Sequence, residues 1–135
     1  MTESKDSGSG SGKSGKALIY VVDDEPMLLE VASAILESSG YAFQTFSDPA
    51  QALDAFKSAP SPPALIITDY AMHSMNGVAL IAACRKIHPR QKILLVSGTI
   101  DEQACLNSPA KPDRFLAKPY QAKHLLDILQ SLLAE

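Results

Sequence analysis

Five side chains in this sequence have the types and the placement to do chemistry together: Asp23, Asp24, Asp69, Ser97 and Lys118. Each stands at the end of an apolar run. Residues 17–22 lead into Asp23-Asp24-Glu25, and Leu65-Ile66-Ile67-Thr68 leads into Asp69. Ile93-Leu94-Leu95-Val96 leads into Ser97-Gly98-Thr99, and Phe115-Leu116-Ala117 into Lys118-Pro119. Leu, Ile and Ile in succession read as a strand buried on both faces, because a half-exposed strand alternates polar residues. If the four strands are parallel, their polar ends share one edge of one sheet, where open α/β sheets place their sites.

Asp23, Asp24 and Asp69 are then neighbours, and three carboxylates that close repel one another. Either some stay protonated through raised pKa values, or a divalent cation takes their oxygens as ligands. A hard ion that prefers oxygen, Mg²⁺ or Mn²⁺, suits one or two carboxylates together with carbonyl and phosphate oxygens. Lys118 adds a compact positive charge, and Ser97 a hydroxyl able to donate to a phosphoryl oxygen. Such a set fits phosphoryl transfer, in which positioning and charge stabilisation supply most of the catalysis. Asp69 is the expected nucleophile, because it sits on the strand expected to be central and carboxylates form aspartyl-phosphate intermediates. Asp24 is expected to hold the metal directly, with Asp23 orienting a ligand or its water.

In this order the residues resemble a family, the receiver domain of two-component response regulators. The resemblance rests on Asp23-Asp24, Asp69, Met75-Asn76-Gly77, Ser97-Gly98 and Lys118-Pro119, and it extends over residues 16–135. It implies a flavodoxin-like (βα)5 fold, a doubly wound parallel sheet with strand order 2-1-3-4-5. It implies that Asp69 takes a phosphoryl group from a phosphohistidine on a histidine kinase or histidine phosphotransfer domain. It further implies Mg²⁺ held by Asp24, Asp69 and the carbonyl of Ala71, and a cis bond before Pro119. In the family, an aromatic at the place of Phe115 moves inward when the hydroxyl at the place of Ser97 turns to the phosphoryl group. The side chains that tune phosphoryl lifetime correspond to Ala71 and Thr99. Neither carries a charge or a carboxamide to orient attacking water, so slow to moderate self-dephosphorylation is expected. Departures are His73, where the family usually has proline, and a proline-broken stretch before Asp113.

Composition bounds the reading. A chain of 135 residues with 46% apolar content allows one domain with a sizeable core. No stretch nears the roughly 20 apolar residues of a membrane span, and the first 16 residues carry no signal-peptide pattern. Cys84 and Cys105 make neither a disulfide framework nor a zinc site, so a reducing cytoplasm is the default. The net charge of -3 does not advertise nucleic-acid binding. Residues 1–16, rich in Ser and Gly, are expected to be a disordered tail, natural or added, with the receiver domain over 17–135. No output domain follows, so a single-domain regulator and a piece of a hybrid histidine kinase are both compatible.

Between the strands, Pro26 opens a helix whose apolar positions are Leu28, Leu29, Val31, Ala32, Ile35 and Leu36, and Gly40 stops it. Residues 42–46 form a short strand. Ser47 or Asp48 caps a helix opened by Pro49 and carrying Ala52, Leu53, Ala55 and Phe56. Residues 58–63 are a stiff, exposed linker. A helical stripe covers 78–87, a short helix is expected over 100–106, and a last helix closes the chain over 121–133.

Taken singly, each site residue has a plainer explanation. Asp23-Asp24-Glu25 suits the start of a helix, where the dipole favours acids, and Glu25 keeps that role. His73, His88 and His124 lack partner motifs and read as structural or surface residues. A flavodoxin-like cofactor binder would need a phosphate-cradling loop where the three acids stand. An aspartate-nucleophile phosphatase would need an acid at Ala71. A receiver-like interaction module that takes no phosphate has the same sequence features, and only phosphorylation separates the two.

Overall fold

A computed structural model describes residues 17–72, 75–98 and 111–134. The tail over 1–16, His73, Thr99 and the helix expected over 100–106 lie outside them. Five strands, β1 (Leu18–Val22), β2 (Ala42–Phe46), β3 (Leu65–Asp69), β4 (Ile93–Ser97) and β5 (Arg114–Ala117), form one sheet in the order β2-β1-β3-β4-β5. Every pairing is parallel. The described helices are α1 (Pro26–Ser38), α2 (Pro49–Ser58), α3 (Gly77–Ile87) and α4 (Ala122–Ala134).

Strand periodicity divides the core in two. On one face Ile19, Val21, Leu65, Ile67, Leu94 and Val96 pack with Ala32 and Leu36 of α1 and Leu125, Leu129 and Leu132 of α4. On the other, Tyr20, Val22, Ile66, Ile93 and Leu95 pack with Ala52 and Phe56 of α2 and Leu80, Ile81 and Cys84 of α3. Of the three inner strands, β3 and β4 are buried at every position and β1 at every position but Leu18, as apolar runs between two helical layers require. Asp69 therefore ends the central strand of the sheet.

The helix ends follow local chemistry. Asp48, not Ser47, caps α2, its carboxylate accepting the Ala50 N–H at 3.0 Å. Asn76 caps α3 in the same way, accepting the Ala79 N–H at 2.8 Å. Gly40, with φ of 81°, turns the chain after α1 in a conformation that side chains avoid. Two expectations need correction. Val31 is 44% exposed rather than in the core, because the sheet reaches only the face of α1 that carries Ala32 and Leu36. Pro63 is buried rather than part of an exposed linker, and its carbonyl accepts from the buried Gln91 side chain at 3.0 Å.

At the end of the sheet away from the acids, Arg85 of α3 ties the starts of two strands together. Its guanidinium donates to the carbonyls of Gln91 and Lys111 and to the Asp113 carboxylate at 2.8 Å. Asp113 in turn accepts the Ile93 N–H at 2.7 Å. This clasp sets the start of the edge strand β5, whose far end carries Lys118.

Cys84 packs in the α3 layer with 1% exposure, and burial pushes its thiol up to about 11. Thiolate is the reactive form. In a Cys105→Ser variant, Cys84 should thus react with iodoacetamide at neutral pH far more slowly in the folded protein than in urea. Equal rates would place the thiol at the surface. No helix among the described residues is long and apolar enough to cross a membrane.

Candidate functional site

The parallel register brings the expected site residues to one edge. β1 ends at Val22 opposite Thr68, β3 ends at Asp69 opposite Val96, and Ser97 closes β4 opposite Ala117. Asp23 and Asp24 continue from β1, and Lys118 from β5. Carboxylate oxygens of Asp23, Asp24 and Asp69 lie within 4.8 Å of one another. Asp23 and Asp69 are buried and Asp24 is half-buried.

Asp23 donates its N–H to the Phe46 carbonyl of β2 at 3.0 Å, which carries the β1–β2 pairing one residue beyond Val22. Its Oδ1 accepts the Glu25 N–H at 3.0 Å and its Oδ2 accepts from Lys118 Nζ at 3.0 Å. Both oxygens are thus engaged within the protein. Glu25 itself is exposed, makes no side-chain cap and forms the junction to α1, so it keeps its plain structural role.

Lys118 reaches two acids. Nζ stands 3.0 Å from Asp23 Oδ2 and 3.1 Å from Asp69 Oδ1, with the lysine side chain 15% exposed. Its backbone N–H donates to the Ser97 carbonyl at 2.9 Å, which extends the β4–β5 pairing by one residue and fixes the stem of the side chain. The peptide bond between Lys118 and Pro119 is cis. Burial works against the ammonium charge, but the hydrogen bonds and charges of Asp23 and Asp69 outweigh it and hold Lys118 above the ordinary lysine value. Asp69 moves the other way in stability terms. Burial pushes its carboxyl above the ordinary range, Lys118 pulls it down without cancelling that, and Asp23 adds repulsion. One lysine shared between two buried acids leaves the second acid under-compensated.

That deficit is what a cation would meet. Opposite ligands of an octahedral Mg²⁺ lie about 4.2 Å apart, from bonds of about 2.1 Å. Three hard carboxylates whose oxygens lie within 4.8 Å of one another are near the spacing that one such ion needs. The three carboxylates suit Mg²⁺ or Mn²⁺, and the group found among the described residues holds no nitrogen or sulfur ligand.

Ser97 is buried, with 2% exposure, at the end of β4. Phe115 is half-buried and packs against the α2/α3 layer. Ala71 lies exposed in the loop after β3. His88 forms the C-cap of α3 and His124 is exposed on α4, so neither belongs to the site. Beside Lys118, a cleft of about 530 Å³ is walled by Leu28 and Val31 of α1, Gly98, Pro119 and Tyr120. Burial pushes the Tyr120 phenol up, with Lys118 opposing and Asp23 reinforcing the shift.

Two further residues touch the backbone of Asp69, a placement that the sequence alone does not reveal. Thr68 Oγ1 donates to the Asp69 carbonyl at 3.0 Å. A Cβ on Gly77 would stand 2.6 Å from that same oxygen, so only glycine lets α3 start so close to β3. The available signals were a hydroxyl inside an apolar run and a glycine directly after a capping Asn.

Comparisons with known proteins agree with this geometry. The sequence matches the response regulator receiver domain family over residues 19–130. It is 29% identical over 121 residues to the sensor kinase CckA of Brucella abortus, covering 89% of this chain but 13% of that protein. It is 28% identical over 108 residues to the DNA-binding response regulator MtrA of Mycolicibacterium smegmatis, covering 80% of this chain and 46% of the regulator. The chain thus spans less than half of either relative. Among solved structures, the response regulator TrrA of Thermotoga maritima, in complex with Mg²⁺ and BeF, superposes with a TM-score of 0.77 at 28% identity, covering 86% of this chain and 98% of that one. A parallel sheet ending in clustered acids with a lysine opposite, in a sequence that matches the family over residues 19–130, makes this chain a member of the receiver domains of response regulators, the signalling module of two-component systems.

Proposed function

We propose that this domain accepts a phosphoryl group on Asp69 from a phosphohistidine donor in an Mg²⁺-dependent reaction, and that the event alters the face carrying Ser97 and Phe115. The carrying observation is Lys118 Nζ at 3.1 Å from Asp69 Oδ1, beside three acids whose oxygens lie within 4.8 Å. An Asp69 oxygen forms the new O–P bond while the P–N bond of the donor breaks, and the bonding pair returns to the imidazole nitrogen. Lys118 offsets negative charge on the transferred group, the electrostatic help that phosphoryl transfer chiefly needs. Asp24, Asp69 and the Ala71 carbonyl would hold the metal, which when bound supplies charge neutralisation for the incoming phosphoryl oxygens. Asp23, with one oxygen on Lys118 and the other on the Glu25 N–H, orients the lysine and adds charge to the pocket.

The Ser97 hydroxyl is the proposed donor to a phosphoryl oxygen once it is attached. Phe115, lacking a hydroxyl, reports through packing alone. A ligand shifts such an equilibrium only by binding one state better than the other. The donor is a histidine kinase or a histidine phosphotransfer domain.

The experiment is NMR of the full chain with Mg²⁺ and beryllofluoride. Shifts at Asp69, Ser97, Phe115 and Lys118 are expected, while a spectrum unchanged by both additions would overturn the proposal. A linked prediction concerns lifetime. Ala71 and Thr99 carry neither a charge nor a carboxamide to orient water, so the phosphorylated domain should decay over minutes or longer in Mg²⁺. Decay within seconds, followed on a phosphate-retarding gel, would show that another group activates the water.

A further inference from the structure

Thr68 is the odd member of β3. It is fully buried in a strand otherwise made of Leu, Ile and Ile before the acceptor. A buried hydroxyl costs stability unless it finds a partner, so its bond should have a purpose at that position. It donates to the carbonyl of Asp69 at 3.0 Å. The same peptide unit presents the Tyr70 N–H to the Val96 carbonyl at 2.9 Å. The peptide joining Asp69 to Tyr70 is therefore held at both of its polar atoms.

Register explains why a side chain is used. Pairing of β1 with β3 stops at Val22 and Thr68, while the Asp23 N–H continues the β1 ladder on its other side, to the Phe46 carbonyl of β2. The ladder on that side ends one residue short of Asp69. A buried carbonyl at a strand end needs a donor from elsewhere, and the neighbouring threonine supplies it. Gly77 closes the arrangement from α3. A Cβ there would stand 2.6 Å from the Asp69 oxygen and 2.7 Å from Leu95 Cδ1. The Gly77 N–H also donates to the Tyr70 carbonyl at 2.8 Å, holding the next peptide, which leads to Ala71.

We infer that Thr68 is a positioning residue for phosphoryl acceptance: its hydroxyl, with Gly77 against the same carbonyl, locks the peptide plane that relates the Asp69 carboxylate to the backbone leading to Ala71. The torsion between the Asp69 Cα and its carbonyl carbon sets that carbonyl relative to the carboxylate-bearing Cβ. Releasing the oxygen lets both the acceptor and the following loop drift. This inference rests on Asp69 being the acceptor.

The test compares Thr68→Val, which keeps the shape and loses the donor, with Thr68→Ser, which keeps the donor. Phosphorylation of the full chain by acetyl phosphate is measured at saturating Mg²⁺, well below the melting range, giving a maximal rate and a half-saturating donor concentration. Thr68→Val should lower the maximal rate roughly tenfold, within the loss that sub-ångström misplacement produces, while Thr68→Ser stays within about twofold of wild type. A merely structural role would lower the melting temperature in proportion to lost packing and leave the rate alone. Should Thr68→Val not fold, Thr68→Ala against Thr68→Ser gives the same contrast in the hydroxyl. Equal rates for Thr68→Val and wild type, or an equal fall in Thr68→Ser, would overturn the inference while leaving the acceptor reading intact. A wild-type chain that takes no phosphoryl group at all would overturn both.

Discussion

Asp69→Asn is expected to take up no phosphoryl group from acetyl phosphate and Mg²⁺, and yet to melt a few degrees higher than the wild type in EDTA. The first half follows from the loss of the nucleophilic oxygen. The second follows from how the pocket is charged. Burial, opposed by Lys118 and reinforced by Asp23, raises the Asp69 pKa in the folded protein. The folded state then binds a proton more tightly than the unfolded chain does. Stability falls as pH rises from the ordinary carboxylate value through the raised folded pKa. Asparagine cannot ionise and escapes that loss. Lys118 is not stranded by the change, because Asp23 Oδ2 remains 3.0 Å from its Nζ. Adding Mg²⁺ should reverse the ranking. A ligand that binds only the folded state stabilises it by mass action, and the wild type offers three carboxylates where Asp69→Asn offers two. Melting curves of the two proteins against Mg²⁺ should therefore cross. If Asp69→Asn melts lower even in EDTA, the attraction between Lys118 and Asp69 exceeds the repulsion among the acids.

Much of this site is readable because a parallel sheet converts sequence into position. Four apolar runs each end in a polar residue, and one shared strand direction suffices to place those residues on a common edge. Asp23, Asp24, Asp69 and Lys118 meet for that reason alone. The cis bond at Lys118 comes from the family resemblance, since nothing in a Lys-Pro pair specifies the isomer. Other features depend on where neighbouring elements stop. Val31 has the right period for the core, yet it lines the cleft beside Lys118 and is 44% exposed. Either Ser47 or Asp48 could have capped α2, and the start of the helix at Pro49 gives the place to Asp48, whose carboxylate accepts the Ala50 N–H. Thr68 was least legible. Its role depends on the β1 ladder ending one residue short of Asp69, a property of two strands together that neither strand encodes locally.

Lys118→Ala should produce the largest loss of both stability and reactivity, and its effect should depend on Asp69. The substitution leaves Asp23 and Asp69, with side chains 9% and 8% exposed, without the ammonium that bridges them. Breaking a buried pair from one side costs about 3–5 kcal/mol. Lys118 keeps 15% exposure, and the acids can relax toward water or take up a proton, so about 2–3 kcal/mol is expected in EDTA. Phosphorylation by acetyl phosphate should slow about a hundredfold, the scale of losing one preorganised charge at the transferred group. Mg²⁺ should restore more stability to Lys118→Ala than it adds to the wild type, because it neutralises the acids the lysine has left. The double-mutant cycle decides between pairing and packing. If Lys118 chiefly offsets the acids, Lys118→Ala in an Asp69→Asn background should cost about 1–2 kcal/mol less than in the wild type, since one of its two partners no longer carries charge. If the aliphatic stem of Lys118 instead fills space beside Gly98 and Tyr120, the loss will be the same in both backgrounds. Urea denaturation of the four proteins in EDTA measures that difference, and equal losses would remove the electrostatic basis assigned to this lysine.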